Sequence, residues 1–413
     1  MPGAGLQLAA TLHANVGAGP GRLSTTFHNM SWTQPYGPGG EHAFARARRA
    51  ALGVRNVLRT RYPLFLLGLP ASRSEIPVFV HHDVESAAFA RQLEFLRANH
   101  YRTISLDEFL TAGGRKRGDR ERRVLLTFDD ARSNFYEVAL PVLSSFDARA
   151  TLFVPSHWMS PAAVTGSDLF MSWDQVRACA ESGHVDVQSH AHRHALVATS
   201  DQLIGFASPR LIQRYDVYDW PMRNTATGER LGPPPPGTPI YRAAPLLSAE
   251  QRYLESPGLT EACTQCVAES GGDAFFGLPD WPARLHRLYQ SRAKVLRGEI
   301  MTEPDFARLV SSEFELARQS FQAHLGYAPT VIAYPWLLGS DRSLALARGH
   351  GFRAAFGVAV DYRRAGRSGL PLRVFGRLRS DWLPLLPGRG RASFLSIAAR
   401  KLVTFSGSQP LAH

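Results

Sequence analysis

The feature that most narrows the fold of this chain is a rhythm. From Ile76 onward short apolar runs recur, PVFV, VLLTF, ATLFV, VDVQ, TVIAY and FRAAF, each bounded by turn residues or charges. Runs of this length read as buried parallel strands, and the segments between them read as helices, so the rhythm is that of an α/β fold. Ser105 with Glu108, and Ser172 with Gln175, have the spacing of capping boxes, which predicts helices from Leu106 and Trp173. A longer helix is predicted from about Glu303 to Leu325, because Phe306, Leu309, Val310, Phe314, Ala317 and Phe321 fall on one face.

The rhythm is absent at the front and is interrupted once. Residues 1–75 read as an N-terminal extension: Gly, Pro, Ser and Thr dominate up to about residue 40, and an Arg-rich helical stretch, Ala43–Arg61, leads into PLFLLGLP. That basic helix either docks on the domain with solvated arginines or makes peripheral contact with a membrane through residues 43–70. The domain proper spans 76–400, with a tail over 401–413. Within it, 208–280 accumulates Pro and Gly, including Pro233–Pro236, and reads as an insertion. Its Tyr215, Tyr218, Trp220, Tyr241 and Tyr253 suit a substrate lid or a purely structural unit equally well. No internal repeat is visible.

Composition excludes more than it assigns. The formal charge of +12 comes almost wholly from Arg, with Lys only at positions 116, 294 and 401, and lies in scattered groups without interleaved aromatics, which argues against a nucleic-acid partner. No apolar segment is long enough to span a bilayer. Three cysteines cannot build a disulfide framework, and the N-terminus lacks a basic region followed by an apolar core, so a cytoplasmic location is the expectation. The lone Cys263-Thr-Gln-Cys266 has no second pair to make a zinc knuckle, Arg117-Gly118-Asp119 reads as a solvated turn, and the sequon at Asn29 lacks a signal peptide to deliver it.

Two clusters carry chemistry. VLLTFDDA ends a strand on Asp129 and Asp130, where α/β folds place their sites. Adjacent acids resist joint ionisation unless a cation neutralises one; alone, the pair reads more readily as a helix cap than as a metal site. VDVQSHAHRHALV leaves another strand and delivers His190, His192 and His194, the first and last able to converge on one ion while His192 points elsewhere. Alone, that cluster could be a surface loop. Together, Asp130, His190 and His194 form a two-His, one-carboxylate set with room for water. The set suits zinc, cobalt, nickel or iron to differing degrees.

TFDD followed by SHxxxH resembles the polysaccharide deacetylase superfamily, carbohydrate esterase family 4 or the NodB-homology domain, over roughly residues 76–206 and 300–380. The resemblance implies an irregular (β/α) barrel of about seven parallel strands, Asp129 as general base, and Asp130, His190 and His194 as ligands of a divalent metal, most commonly zinc. Metal-activated water with a nearby carboxylate to take its proton gives the same allocation on chemical grounds. The family's usual C-terminal strand ending in His is absent, since LPLRVFGRLRSDW has no histidine. IPVFVHHDVES instead resembles the YHD segment of the circularly permuted poly-N-acetylglucosamine deacetylases, and the following FARQLEFLRANHYRTISLDEFL extends that likeness. On that match His82 is the acid; the plainer reading makes His81 or His82 a strand-end core histidine. AYPWLLG stands where the family places an oxyanion donor, implicating Tyr334, Pro335 and the Trp336 N–H. Ala333 replaces the family's Arg, so Asp129 needs another orienting partner, which the sequence does not name; Asp83, Arg373 and Asp381 are candidate pocket residues.

The expected activity is metal-dependent N-deacetylation of an N-acetylhexosamine-containing glycan or glycoconjugate. A small amino-sugar metabolite is the alternative substrate, favoured by the missing signal peptide and the long insertion. A non-catalytic glycan-binding or scaffold protein on the same barrel is the alternative of another class, motivated by Ala333 and the absent C-terminal histidine.

Overall fold

A computed structural model of the chain describes residues 65, 76–113, 121–160, 169–357 and 372–393. The basic helix, nearly all of 43–70, the Arg117-Gly118-Asp119 turn and the 401–413 tail lie outside the described residues; Phe65, inside them, is buried. In chain order the strands are β1 (Val78–His81), β2 (Tyr101–Thr103), β3 (Arg122–Phe128), β4 (Ala150–Val154), β5 (Val185–Ser189), β6 (Leu196–Phe206), β7 (Pro221–Thr225), β8 (Gly228–Arg230), β9 (Pro239–Pro245), β10 (Tyr253–Leu254), β11 (Glu299–Ile300), β12 (Val331–Ala333), β13 (Ala354–Phe356), β14 (Arg373–Phe375) and β15 (Leu378–Arg379).

The six apolar runs of the sequence are β1, β3, β4, β5, β12 and β13 of one sheet, whose order is β14-β13-β12-β5-β4-β3-β1-β15 with β2 beside the N-terminal half of β3; β2, β14 and β15 have no such run to mark them. Every pairing in the sheet is parallel. The two ends of this path, β14 and β15, are separated in the chain only by Gly376 and Arg377. The last strand is therefore split, one half pairing with β13 and the other with β1, and the sheet comes round on itself as an α/β barrel. Parallel strands put all their C-terminal ends at one rim, where such folds carry their chemistry.

Burial follows the patterning. Val124 to Phe128 of β3 and all of β4 are buried, each large side chain contributing about 1.5–3 kcal/mol. Helix Leu106–Thr111 starts where Ser105 Oγ accepts the Glu108 N–H (3.2 Å), and helix Trp173–Glu181 starts on a complete capping box from Ser172 and Gln175. The long helix is Glu303–Leu325, capped by Thr302 and ended by Gly326 in the left-handed region (φ 79°). Phe306, Val310, Phe314, Ala317 and Phe321 are buried along it, while Leu309 is half-buried.

The stretch that lacks the barrel rhythm is folded. β6, which already begins at Leu196, joins β7, β8 and β9 in a second sheet of order β8-β7-β6-β9, and β10 pairs with β11. Helices Pro257–Glu269 and Trp281–Ala293 pack Cys263, Val267 and Leu285 with Phe206 and Phe275 into a separate small core. Tyr241 and Tyr253 meet edge-on at 5.3 Å, and Trp220 is buried with Ile240.

The docking of the long helix is testable. Phe314→Ala removes a fully buried ring and is expected to cost about 3–5 kcal/mol, read as a lower guanidinium midpoint by circular dichroism.

Candidate active site

Each functional side chain leaves the barrel at a strand end. His82 follows β1, Asp129 and Asp130 follow β3, His190 follows β5, Tyr334 follows β12, and Arg377 lies in the break between β14 and β15. The loops that carry them are bent hard. Six of the eight non-glycine residues with positive φ among the described residues are here: Asp130, Ala131, Ala191, His194, Trp336 and Leu337. Such conformations cost of order 1–3 kcal/mol each and persist where surrounding structure enforces them, most often at sites.

Asp130, His190 and His194 are buried and each presents a ligand atom within 4.8 Å of the others. His190 Nε2 and His194 Nε2 both stand 3.5 Å from Asp130 Oδ1, and that oxygen has no hydrogen-bond partner. A buried carboxylate oxygen left so is costly, and one cation among these three groups would satisfy it. His190 Nδ1 lies 2.8 Å from the Ala333 carbonyl; a carbonyl only accepts, so Nδ1 carries the proton and Nε2 faces the carboxylates. His194 is fixed by rings instead, lying between Tyr218 (centroids 4.0 Å, stacked) and Trp336 (4.2 Å). The donor set and the orphaned oxygen fit a divalent metal.

The charges are consistent with that fit. Burial pushes the Asp130 carboxyl up, but the neighbouring His190, His82 and His194 hold it well below the ordinary range. Burial alone would lower His190; Asp129 and Asp130 raise it, favouring a positive charge at the place a cation would occupy. Burial pushes His194 down to about 3, leaving a neutral imidazole.

Asp129 is held by a residue that the sequence did not single out. Arg377 Nη1 and Nη2 donate to its two oxygens at 2.6 and 2.7 Å, with both side chains almost wholly buried. Burial raises the Asp129 carboxyl, and Arg377 with His190 more than offsets it, so the group stays ionised below its usual value. Asp83, Arg373 and Asp381 do not take this role. Arg373 Nη1 donates to the Leu110 carbonyl (3.2 Å), Asp381 pairs with Arg379 (3.5 Å), and Arg132 is the leading positive influence on Asp83. Gly357, with φ 77°, makes space: a Cβ there would come within 2.5 Å of Leu337 Cδ2 and 3.1 Å of Arg377 Nε. The only hint of Arg377 in the sequence is its place at the end of the apolar RVF.

His82 Nε2 is 3.9 Å from Asp130 Oδ2, and His82, Asp129, Asp130, Arg132, His190, His194 and Trp336 line one pocket. The 334–338 turn uses the N–H groups of Leu337 and Leu338, bonded to Tyr334 and Pro335 carbonyls, and Trp336 adopts φ 51°. His81 is turned away into the core, stacked on Phe128 with Nε2 3.1 Å from Gln92. His192 bonds Ser156 Oγ (2.8 Å) and His184 the Ala148 carbonyl (3.2 Å). Cys263 and Cys266 are free thiols on one helix of the insertion. The insertion also reaches the pocket, through Asp216, Tyr218 and Asp219. Arg132 bonds Asp216 at 2.9 Å, and the Tyr218 hydroxyl donates to the Asp130 carbonyl at 3.4 Å.

Residues 116–205 match the family model for polysaccharide deacetylase. That stretch is similar to polysaccharide deacetylases. Over 116 residues it is 29% identical to a poly-beta-1,6-N-acetyl-D-glucosamine N-deacetylase of Escherichia coli K12, a match covering 26% of this chain and 17% of that protein. Over 129 residues it is 24% identical to a putative polysaccharide deacetylase of Bacillus subtilis, covering 29% of this chain and 44% of that protein. The chain thus spans less than half the length of either relative. Among solved structures it is similar to a de-N-acetylase from Aggregatibacter actinomycetemcomitans (17% identity, TM-score 0.44, 73% of this chain and 94% of that one). It is also similar to IcaB from Ammonifex degensii (17% identity, TM-score 0.42, 77% and 98%). Asp129, Asp130, His190 and His194 all lie within the stretch that the family model matches. No helix among the described residues is long and apolar enough to cross a membrane.

Arg377→Met would leave the Asp129 charge buried and unpaired, and the expected loss of stability is about 3–5 kcal/mol. Arg377→Lys keeps the charge but not the two-pronged geometry and should recover only part of it. Urea titrations followed by tryptophan fluorescence measure both.

Proposed function

We propose that this domain is a metal-dependent N-deacetylase that hydrolyses the acetamido group of an N-acetylhexosamine-containing glycan, releasing acetate and a free amine. The observation that carries the reading is the pairing of two unlike carboxylates: Asp129, clamped by Arg377, beside Asp130, which shares its environment with His190 and His194. Asp130, His190 and His194 would hold the ion, with zinc the first candidate. Bound there, it would polarise the amide carbonyl and acidify a water molecule. Asp129 then takes the proton of the attacking water, its carboxylate kept ionised and aimed by Arg377. His82 donates a proton to the leaving amine, and the Trp336 N–H donates to the oxygen that gains charge. Tyr334 and Pro335 form the start of the turn that presents that N–H.

The match to a poly-beta-1,6-N-acetyl-D-glucosamine N-deacetylase supports a β-1,6-linked glycan as the first substrate to try. A second reading, a short amino-sugar substrate, is favoured by Asp216, Tyr218 and Asp219 closing one side of the pocket from the insertion.

Acetate release from β-1,6-linked N-acetylglucosamine oligomers and from the monosaccharide separates the two. Stripping the metal with a chelator is expected to abolish turnover, and adding Zn²⁺ or Co²⁺ to restore it. Asp129→Asn should lower kcat by about 10²–10⁴-fold with little change in bound metal. A protein that binds one ion yet releases no acetate from any N-acetylated sugar would overturn the enzyme reading in favour of a glycan-binding barrel.

A further inference from the structure

The segment between the two histidines is gripped from outside the barrel rim by one carboxylate, that of Glu313. This residue sits midway along helix Glu303–Leu325 on the face otherwise formed by Phe306, Val310, Phe314 and Phe321, and it is 1% exposed. A buried acid on an apolar helix face needs a reason, because its charge is costly unless donors surround it. The donors are those of the loop. Glu313 Oε2 accepts the His192 N–H at 3.2 Å and the Arg193 N–H at 2.8 Å, and Oε1 accepts Arg193 Nη1 at 2.5 Å. Arg193 Nη1 also bonds Ser312 Oγ at 3.1 Å.

The backbone explains why two successive N–H groups converge. Ala191 and His194 have positive φ, 65° and 51°, on either side of them. Tight turns of this kind can aim consecutive amides at one point and form a concavity that binds anions. Here the anion is a side chain of the protein's own long helix. The same two residues with unusual φ fix the path from His190 to His194, whose Nε2 atoms must face one oxygen of Asp130.

We infer that Glu313 is a positioning residue for the metal site: its carboxylate holds the 191–193 backbone in the bent form that makes His190 and His194 converge. The inference rests on the metal reading given above and names the element that sets the spacing of two of its ligands. Glu313 touches neither ligand ring nor substrate, so it acts through the loop alone.

The test is metal affinity and coordination geometry. Zn²⁺ affinity is measured on the full chain by competition with a chromophoric chelator, and the visible spectrum of the Co²⁺-loaded protein reports the ligand arrangement. Glu313→Gln removes the charge while keeping the shape, and Glu313→Asp keeps the charge but retracts it by one methylene. Both are expected to weaken Zn²⁺ binding by about tenfold or more and to alter the Co²⁺ spectrum, whereas Ser312→Ala leaves both as in the native chain. If Glu313→Gln fails to fold, Glu313→Asp, whose charge stays paired, carries the measurement. Variants that lower the melting temperature of the metal-free protein but match the native affinity and spectrum would assign Glu313 to stability alone and overturn the inference. A native chain that binds no divalent ion would instead remove the metal reading on which it stands.

Discussion

Two carboxylates adjacent in the chain are buried in one pocket, and each stays ionised only if positive charge is brought to it separately. The barrel rim is organised around that requirement. Arg377 arrives from the broken final strand and pairs with Asp129, while the two imidazoles arrive from the loop after β5 and surround Asp130. The division matters chemically. A carboxylate paired with a fixed guanidinium keeps its orientation while another group's charge changes beside it, whereas a carboxylate with one unsatisfied oxygen among imidazoles is suited to hold a cation. Residues with the same side chain, one position apart, thus acquire different roles from their surroundings.

Holding that arrangement requires bent backbone at three loops, and each bend has its own support. The bend at Asp130 and Ala131 is backed by the Tyr218 hydroxyl on the Asp130 carbonyl, the one after His190 by Glu313, and the one at Trp336 by packing of its ring on His194. Two of these supports come from outside the barrel strands, one from the insertion and one from the long helix. The insertion is therefore more than an appendage, since Tyr218 forms one face of the His194 sandwich.

How much of this was legible in the sequence depends on whether the signal was local. Six barrel strands were readable because they are mostly buried and so appear as apolar runs, and helix starts were readable because capping is a contact three residues long; β2, β14 and β15, largely half-buried or exposed, gave no such run. Asp129, Asp130, His190 and His194 stood out because they follow such runs in tight groups. The second sheet did not. β7 has a single buried residue, β8 is wholly exposed, and β9 begins and ends in proline, so neither apolar continuity nor alternation marks them. Arg377 was missed, and Tyr218 was noted only as one of the insertion's aromatics, for another reason: they meet their partners across 248 and 88 residues of chain, so no local pattern specifies the contact. Glu313 was different, a single charge on an apolar helical face whose period was already clear.

The break in the last strand has a consequence for how the molecule comes into being. A barrel could be closed by one unbroken strand, but here the residues at the seam include the guanidinium that aims Asp129. During synthesis the histidines, both aspartates and the long helix all emerge before position 377. A chain halted before that point holds both aspartates and both histidines but lacks the partner of Asp129. Closing the circle and seating the Arg377 guanidinium on Asp129 are therefore one event.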